Sequence, residues 1–489
     1  RLDEAWKTTL LNQFHDILPG SSINKVYKDS DIDYAKTFGY TDEATSGALK
    51  AISKKVKTKG PGKALLLFNP LAWTRDDIVE VPVDNPAVTV LDPAGKTVPS
   101  QIVKEKDGAK LLFVAKAVPA MGYALYRIVP GAPKASFSGG PKASGATIEN
   151  EFIKVSVDPK TGNISSMFDK KTKKEFFGPG KQGDMLQCYR DRHPNYDAWN
   201  IQLHEEIPTT LDSAPELVEN GPVRATLKWT KKVGNSTFVH YLSVVRGVPM
   251  ALGKLDVDWK EAHVMAKLAF DLNLKSDDAW YEIPYAAIKR AAVAKNDADR
   301  GKWEVSAQKW VDYPDDSGKF GFSLLNNSKY GYDTKGTVMR MSLLRSPKDP
   351  DPEADMKEHV IEYAMYPHSG DWRAAATPRK GFEFNTHVIP VFEAVHDGPL
   401  PASKSFFASQ PSNVILASVK VAEDSKALIL RVYEAAGKDS SAVITLPAKP
   451  KAVQETNLME EQPVKVKAAG NEIKTPIGHY EIKTFKVDF

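Results

Sequence analysis

Cysteine is almost absent: Cys188 stands alone among 489 residues, which excludes an intrachain disulfide and a zinc knuckle built on thiolates. It fits a reducing compartment such as the cytoplasm, with the periplasm and the exterior left open. An excess of one charge is missing too. Lys and Arg total 66 against 62 Asp and Glu, a net charge of +4 on a mixed-sign surface without a long basic run, so a nucleic-acid partner is not expected. No apolar run approaches membrane-spanning length, residues 64–68 being merely strand-sized, and no membrane partner is expected. There is no Gly-rich phosphate loop, no HExxH pair and no Ser-His-Asp arrangement with useful context. Residue 1 is an arginine inside a helical pattern, with no Met and no signal peptide, so the chain is expected to be the remainder of a longer one.

What is present is an ordinary globular balance, 42% hydrophobic and 26% charged, in a length that suggests about three domains. Leu2, Trp6, Leu10, Phe14 and Ile17 recur at helical spacing, which predicts an amphipathic helix over residues 2–18 with that stripe inward. Pro19-Gly20 ends it, and Ser21 or Ser22 can cap a second helical region reaching about Lys57. His15 and Asp16 then sit in the last turn, beside the break. A neutral imidazole there can bind a metal, and a neighbouring carboxylate can hold a sugar hydroxyl or orient the ring. Taken alone, the pair reads more plainly as a helix-terminal histidine on the C-terminal carbonyls.

Beyond Gly60-Pro61-Gly62 the texture changes to short strands, rich in β-branched and aromatic residues, at 64–68, 78–83, 87–91, 111–115 and 123–128. Residues 131–145 read as a linker. A long β-rich region follows, opening with a strand over 148–157, a turn at Asp158-Pro159, and a return over 164–168. A second linker near 399–412 precedes terminal strands at 414–421, 427–433, 442–446 and 480–487. The expected fold is mainly β with an N-terminal α-helical segment: part of a helix bundle over 1–59, a small β-sandwich over 60–135, a large one over 146–398 and a C-terminal one over 410–489.

Several polar sets invite chemistry. Tyr196, Asp197 and Trp199 join stacking faces to a carboxylate and follow Arg190-Asp191-Arg192, a mixture suited to sugar; the plain alternative is a loop anchored by packing and an ion pair. Asn327, Lys329 and Tyr330, with Tyr332, follow an apolar strand and suit a site rim, or simply a turn. Asp256, Asp258 and Glu261 read as a solvated strand face, because Leu255, Val257 and Trp259 alternate with them. His359 and His368 read as structural.

The string Gln13-Phe14-His15-Asp16-Ile17-Leu18-Pro19-Gly20-Ser21 resembles a motif of glycoside hydrolase family 38, the retaining α-mannosidases, in its bacterial and cytosolic-type branch. Asn69-Pro70-Leu71-Ala72-Trp73, Tyr196-Asp197-Ala198-Trp199, Gly221-Pro222-Val223-Arg224, Val257-Asp258-Trp259-Lys260-Glu261, Leu324-Leu325-Asn326-Asn327-Ser328 and Tyr366-Pro367-His368 follow in family order, across essentially the whole chain. The resemblance implies that His15 is a zinc ligand and that Asp16 contacts the bound mannose. It implies a mannose-containing oligosaccharide as partner, for which Tyr196, Asp197, Trp199, Asn327, Lys329 and Tyr330 are the substrate-side candidates on their residue types. Retention needs two carboxyl groups about 5–5.5 Å apart. The resemblance places these, and the other zinc ligands, on an N-terminal catalytic domain upstream of residue 1, so no catalytic residue is expected here and the chain alone is expected to be inactive. A non-catalytic carbohydrate-binding module is the competing reading, and a homo-oligomer is left open.

Overall fold

The computed structural model describes residues 1–105, 108–131 and 137–489; the middle of the first expected linker, residues 132–136, lies outside them. The chain opens with a helical hairpin of Leu2–Leu11 (α1) and Asn24–Ser53 (α2). The first helix is shorter than its apolar spacing predicts. Asn12 ends it: its buried amide donates to the Thr8 carbonyl at 3.0 Å and to Asp33 at 3.1 Å, an asparagine competing with the helix for backbone groups. His15 and Asp16 therefore lie in the irregular turn between the helices and not in a last helical turn. Ser21 and Ser22 do not cap α2. Ile23 holds that position without a side-chain bond, because Ser21 turns back to Asp16 and the Ser22 N–H is taken by the Tyr27 hydroxyl at 2.8 Å. Nor does the apolar stripe face inward: Leu2, Trp6, Leu10 and Phe14 are all exposed.

Among the described residues after 60, the regular structure is antiparallel β apart from short helices at Asp297–Arg300 and Thr377–Asn385. The strands read from the sequence at 64–68, 78–83, 111–115 and 123–128 are longer in the fold, as Lys63–Asn69, Arg75–Val83, Gly108–Val118 and Gly122–Pro130. Their inward residues, among them Leu65, Leu67, Val79, Val81, Phe113 and Tyr126, form one core between two sheets. Ser100–Glu105 was not expected as a strand; it pairs with Gly108–Val118. The strand expected over 148–157 is a hairpin instead, Thr147–Glu149 and Ile153–Val157. Asn150 forces the turn, its buried amide donating to the Val245 and Val248 carbonyls at 2.7 and 2.8 Å.

Among the described residues a nine-stranded sheet and a six-stranded sheet face each other from residue 185 to 369. Leu186, Cys188, Trp229, Leu255, Leu268, Met341, Phe322 and Tyr363 fill the space between them. Asp256 and Asp258 point outward to Lys254 and Lys260 while Leu255 and Val257 are buried, the alternation read from the sequence. The chain then returns. Ile389–Glu393 pairs with Lys63–Asn69 and Ser403–Ser405 with Gly122–Pro130, so residues 389–393 belong to the first sheet, and not to the large sandwich in which their position in the sequence puts them. Alternating apolar positions let Val391 meet Leu66 there. The last strands build a further pair of sheets around Val414, Leu430, Ile444 and Phe485.

Candidate functional site

The register of the six-stranded sheet fixes where its loops emerge. Arg190 pairs with Val264, Ala266 with Leu344, and Tyr332 with Met341. The segment 192–202, the turn before Val264, the segment that leaves after Leu344 and the loop before Gly331 therefore share one end of the sheet. Neighbouring strands lie about 4.8 Å apart, so the outermost of these loops are separated by roughly 15 Å.

The segment from Arg345 to Glu353 ties them together. Its Arg345 guanidinium pairs with Asp191 and donates to the carbonyls of Ala198, at 3.1 Å, and of Asn200. Asp197 is buried, and its carboxylate accepts the backbone N–H groups of Lys348 at 2.7 Å and Asp349 at 2.9 Å, with the His263 ring 3.3 Å away. Asp197 thus clamps the loop rather than facing solvent. The clamp presents Tyr196 and Trp199, 68% and 67% exposed, stacked at 6.3 Å with 28° between their planes. Tyr196 adopts φ 55° to do so, a conformation unfavourable for a bulky residue and found where the surroundings impose it.

The helical hairpin attaches at the same end. Asn24, at the start of α2, donates to Asp351 at 3.1 Å and Glu353 at 3.0 Å. One turn along α2, the Tyr27 hydroxyl donates to the Asp16 carbonyl at 3.2 Å, and Ser21 donates to Asp16 Oδ1, also at 3.2 Å. Asp16 Oδ2 lies 3.4 Å from His15 Nε2. The His15 side chain is 76% exposed and rests against Phe14, ring centroids 4.3 Å apart. His15 and Asp16 are thus linked to Tyr196 and Trp199 by the hydrogen bonds Tyr27–Asp16, Asn24–Asp351 and Asp349–Asp197 and the short chain segments between them.

The Asn326–Tyr332 loop divides. Lys329 is half-buried and donates to the Leu343 carbonyl at 2.8 Å; burial lowers its pKa, against the field of Asp355, which raises it. Lys329 is a loop anchor. Asn327 donates to Glu362 at 3.3 Å, and Tyr330 is exposed. Sequence reasoning missed Asn24, Tyr27, His263, Arg345 and the 348–353 segment. The proline-rich acidic string Pro347-Lys348-Asp349-Pro350-Asp351-Pro352-Glu353 was the available signal, since such strings shape rigid polar turns.

Among the described residues no three His, Cys, Asp or Glu side chains converge as a metal site. The donor set at the helix break fits part of one, an exposed imidazole beside a carboxylate with one oxygen fixed by Ser21. A buried Ser323–His368–Asp312 cluster is structural. His368 Nε2 and the Ser323 hydroxyl both approach Asp312 Oδ2, each at 2.8 Å, so the imidazole does not lie between hydroxyl and carboxylate as a proton relay requires.

Three family descriptions match the chain: the α-mannosidase middle domain over residues 1–52, the glycosyl hydrolases family 38 C-terminal domain over 148–353, and the family 38 C-terminal β-sandwich domain over 413–485. Alpha-mannosidase 2C1 of Homo sapiens is 29% identical over 454 residues, covering 89% of this chain and 40% of the human protein. Alpha-mannosidase G of Dictyostelium discoideum is 27% identical over 550 residues, covering 99% of this chain and 48% of its own length. The chain thus spans less than half the length of these relatives. An α-mannosidase from Enterococcus faecalis V583 shares its fold, with a TM-score of 0.85 at 18% identity over 99% of this chain and 63% of that one.

Proposed function

The chain belongs to glycoside hydrolase family 38, of which it carries a C-terminal portion, and on that premise we propose that it closes the active site of a zinc-dependent, retaining α-mannosidase. The substrate is a glycan ending in α-mannose. The observation that carries this reading is the linkage from His15 to Trp199, which gathers a metal-type donor, a carboxylate and an aromatic pair at one end of a sheet.

In this reading His15 gives the metal one ring nitrogen, and the other ligands come from residues outside these 489. Bound zinc supplies a Lewis acid and a template for mannose hydroxyls. Asp16 has Oδ1 fixed by Ser21 and offers Oδ2 to a sugar hydroxyl. Tyr196 and Trp199 present ring faces to the C–H face of a pyranose. Asp197 and Lys329 act through backbone, holding the loops in place. Tyr330 and Asn327 form the far rim. The nucleophile and the acid/base belong to a catalytic domain that docks on the hairpin. In support, Trp6, Leu10, Phe14, Leu18, Ile32 and Phe38 of the hairpin are each exposed, more large apolar side chains than a helical hairpin ordinarily leaves to water.

The test is hydrolysis of an aryl α-mannoside, with zinc measured, on this chain and on a full-length protein. Turnover and zinc are expected only in the latter. There, His15→Ala lowers zinc content and activity together, whereas Asp16→Asn lowers activity with zinc largely retained. Turnover by this chain alone, or an unaffected His15→Ala enzyme, defeats the reading. Glycan binding with no turnover in either protein leaves a non-catalytic binding module.

A further inference from the structure

The outward face of the six-stranded sheet carries a polar row that starts where the Tyr196 loop leaves it, with buried Met265 and Ala269 on its middle strand and half-buried Gln187, Tyr189 and Arg340 on the strands beside it. Register places Gln187, Lys267 and Ser342 in one row, Tyr189 beside Met265, and Arg340 beside Ala269 and Asp333. Alternate residues of the same strands, Leu186, Cys188, Leu268 and Met341, face the core. A solvated sheet face normally carries free, mobile charges. This one is locked. Lys267, 2% exposed, bridges Glu304 and Asp333, the latter at 2.5 Å. Arg340 donates to Asp333 and to Gln187, each at 2.8 Å, and Ser342 donates to Glu304 at 2.6 Å. Gly331 keeps the cluster tight, since a Cβ there would lie 3.0 Å from Ser342 Cβ and 3.3 Å from Glu304 Oε2.

Lys267, Arg340, Glu304 and Asp333 carry two charges of each sign, so the cluster has no net preference for an ion. Its upper surface still has unused hydrogen-bonding capacity. Among the described residues the Tyr189 hydroxyl, the Gln187 side-chain N–H₂ and Arg340 Nη2 have no hydrogen-bond partner, while Arg340 itself is held by Gln187 Oε1 and Asp333. Burying Lys267 and Asp333, with Glu304 and Arg340 half-buried beside them, is costly and seldom a gain in stability over apolar packing. What such a network supplies is a fixed array of donors and acceptors around a half-buried aromatic ring. That chemistry suits a neutral polyhydroxyl chain.

We propose that this face binds the inner sugars of a neutral oligosaccharide whose terminal residue sits at the Tyr196–Trp199 pair. The inference rests on the reading of that pair as a sugar site and extends it along Tyr189, Gln187 and Arg340. The distance fits. From Asp191 at the sheet end to Gln187 is about 13 Å at the rise of a strand, room for two or three sugar units beyond the terminal one.

The probe is α-mannopentaose, titrated calorimetrically into this 489-residue chain beside methyl α-mannoside. The pentasaccharide is expected to bind more tightly than the monosaccharide. The double variant Gln187→Ala/Tyr189→Ala, which leaves the ion cluster intact, is expected to weaken pentasaccharide binding about tenfold through lost hydrogen bonds and stacking. Trp199→Ala reports separately on the terminal-sugar site. Pentasaccharide affinity unchanged in the double variant, or no pentasaccharide binding by the parent, overturns the extension. Unchanged binding in Trp199→Ala alone overturns the reading of the aromatic pair instead. A Gln187→Cys thiol that reacts with maleimide in this chain but is blocked in a full-length protein makes the face a domain interface and also overturns the extension. Circular dichroism and Tm of the double variant, expected to match the parent, separate lost binding from lost fold.

Discussion

The Asn24 amide donates to the Asp351 carboxylate at 3.1 Å across 327 residues of sequence. With the companion bond to Glu353 it joins the helical hairpin to the loops of the six-stranded sheet, and so sets the position of His15 relative to Trp199. Asp351 is buried and Asn24 half-buried, and a single hydrogen bond of this kind adds only about 1 kcal/mol to stability. Its larger effect is on geometry.

Removing that bond should therefore change activity more than fold. Asn24→Ala is expected to cost about 1 kcal/mol of stability. In a full-length enzyme it should lower kcat/KM on an aryl α-mannoside about tenfold, the scale on which small misplacements act. A double-mutant cycle with Asp351→Ala measures the coupling; additive effects within about 0.5 kcal/mol mean that the two residues act separately.

Tyr196 and Trp199 are exposed, so truncating them should leave the fold alone. Tyr196→Ala and Trp199→Ala are each expected to change stability by no more than about 0.5 kcal/mol. Each should raise KM for a mannoside about three- to tenfold through lost stacking. Urea denaturation and steady-state kinetics on the same preparations separate the two quantities.

Asp197 should behave in the opposite way. Asp197→Ala strands the N–H groups of Lys348 and Asp349 and is expected to destabilise by about 1–3 kcal/mol. Asp197→Asn keeps one acceptor oxygen and should lose less. Limited proteolysis of segments 192–202 and 348–353 is expected to quicken in the same order.

The pH dependence of stability has an identifiable source in the large sandwich. His240 is fully buried, stacked 5.0 Å from Trp229 and 3.2 Å from Asp184. Burial lowers its pKa, only partly offset by Asp184. A depressed folded-state pKa means that the unfolded chain takes up the proton first. Stability is then full above about pH 6.5 and declines as pH falls from there towards the folded-state value. Burial lowers the pKa of His359 as well, so the same sign applies there. Tm is expected to fall between pH 7 and pH 5, and His240→Gln should flatten that slope; an unchanged slope assigns the effect to other groups.

Much of the β architecture was legible because strand alternation survives burial: Val414–Val421 coincides with its sequence reading, and Lys63–Asn69 extends its own by one residue at each end. The helix at the N-terminus was overread because five apolar residues at helical spacing carry no information about Asn12, whose side chain bonds Asp33 only once the second helix is in place. Tyr196 and Trp199 could be picked from the sequence as exposed aromatics on a polar loop. The clamping role of Asp197 could not, since its partners are backbone groups about 150 residues away. The anchoring bond of Lys329 was hidden for the same kind of reason: its hydrogen-bond partner is the carbonyl of Leu343 on another strand.

The return of Ile389–Glu393 to the side of Lys63–Asn69 also bears on how the protein is made. A ribosome finishes the first of these strands some 320 residues before it reaches the second. At roughly 5–20 residues per second that interval lasts tens of seconds. Throughout it, one flank of Lys63–Asn69, a strand of three consecutive leucines, offers unpaired N–H and C=O groups to any extended chain nearby. Nascent chains halted before residue 389 should therefore be the species that chaperones hold and that aggregates in their absence, whereas chains released after residue 393 have both flanks of Lys63–Asn69 paired.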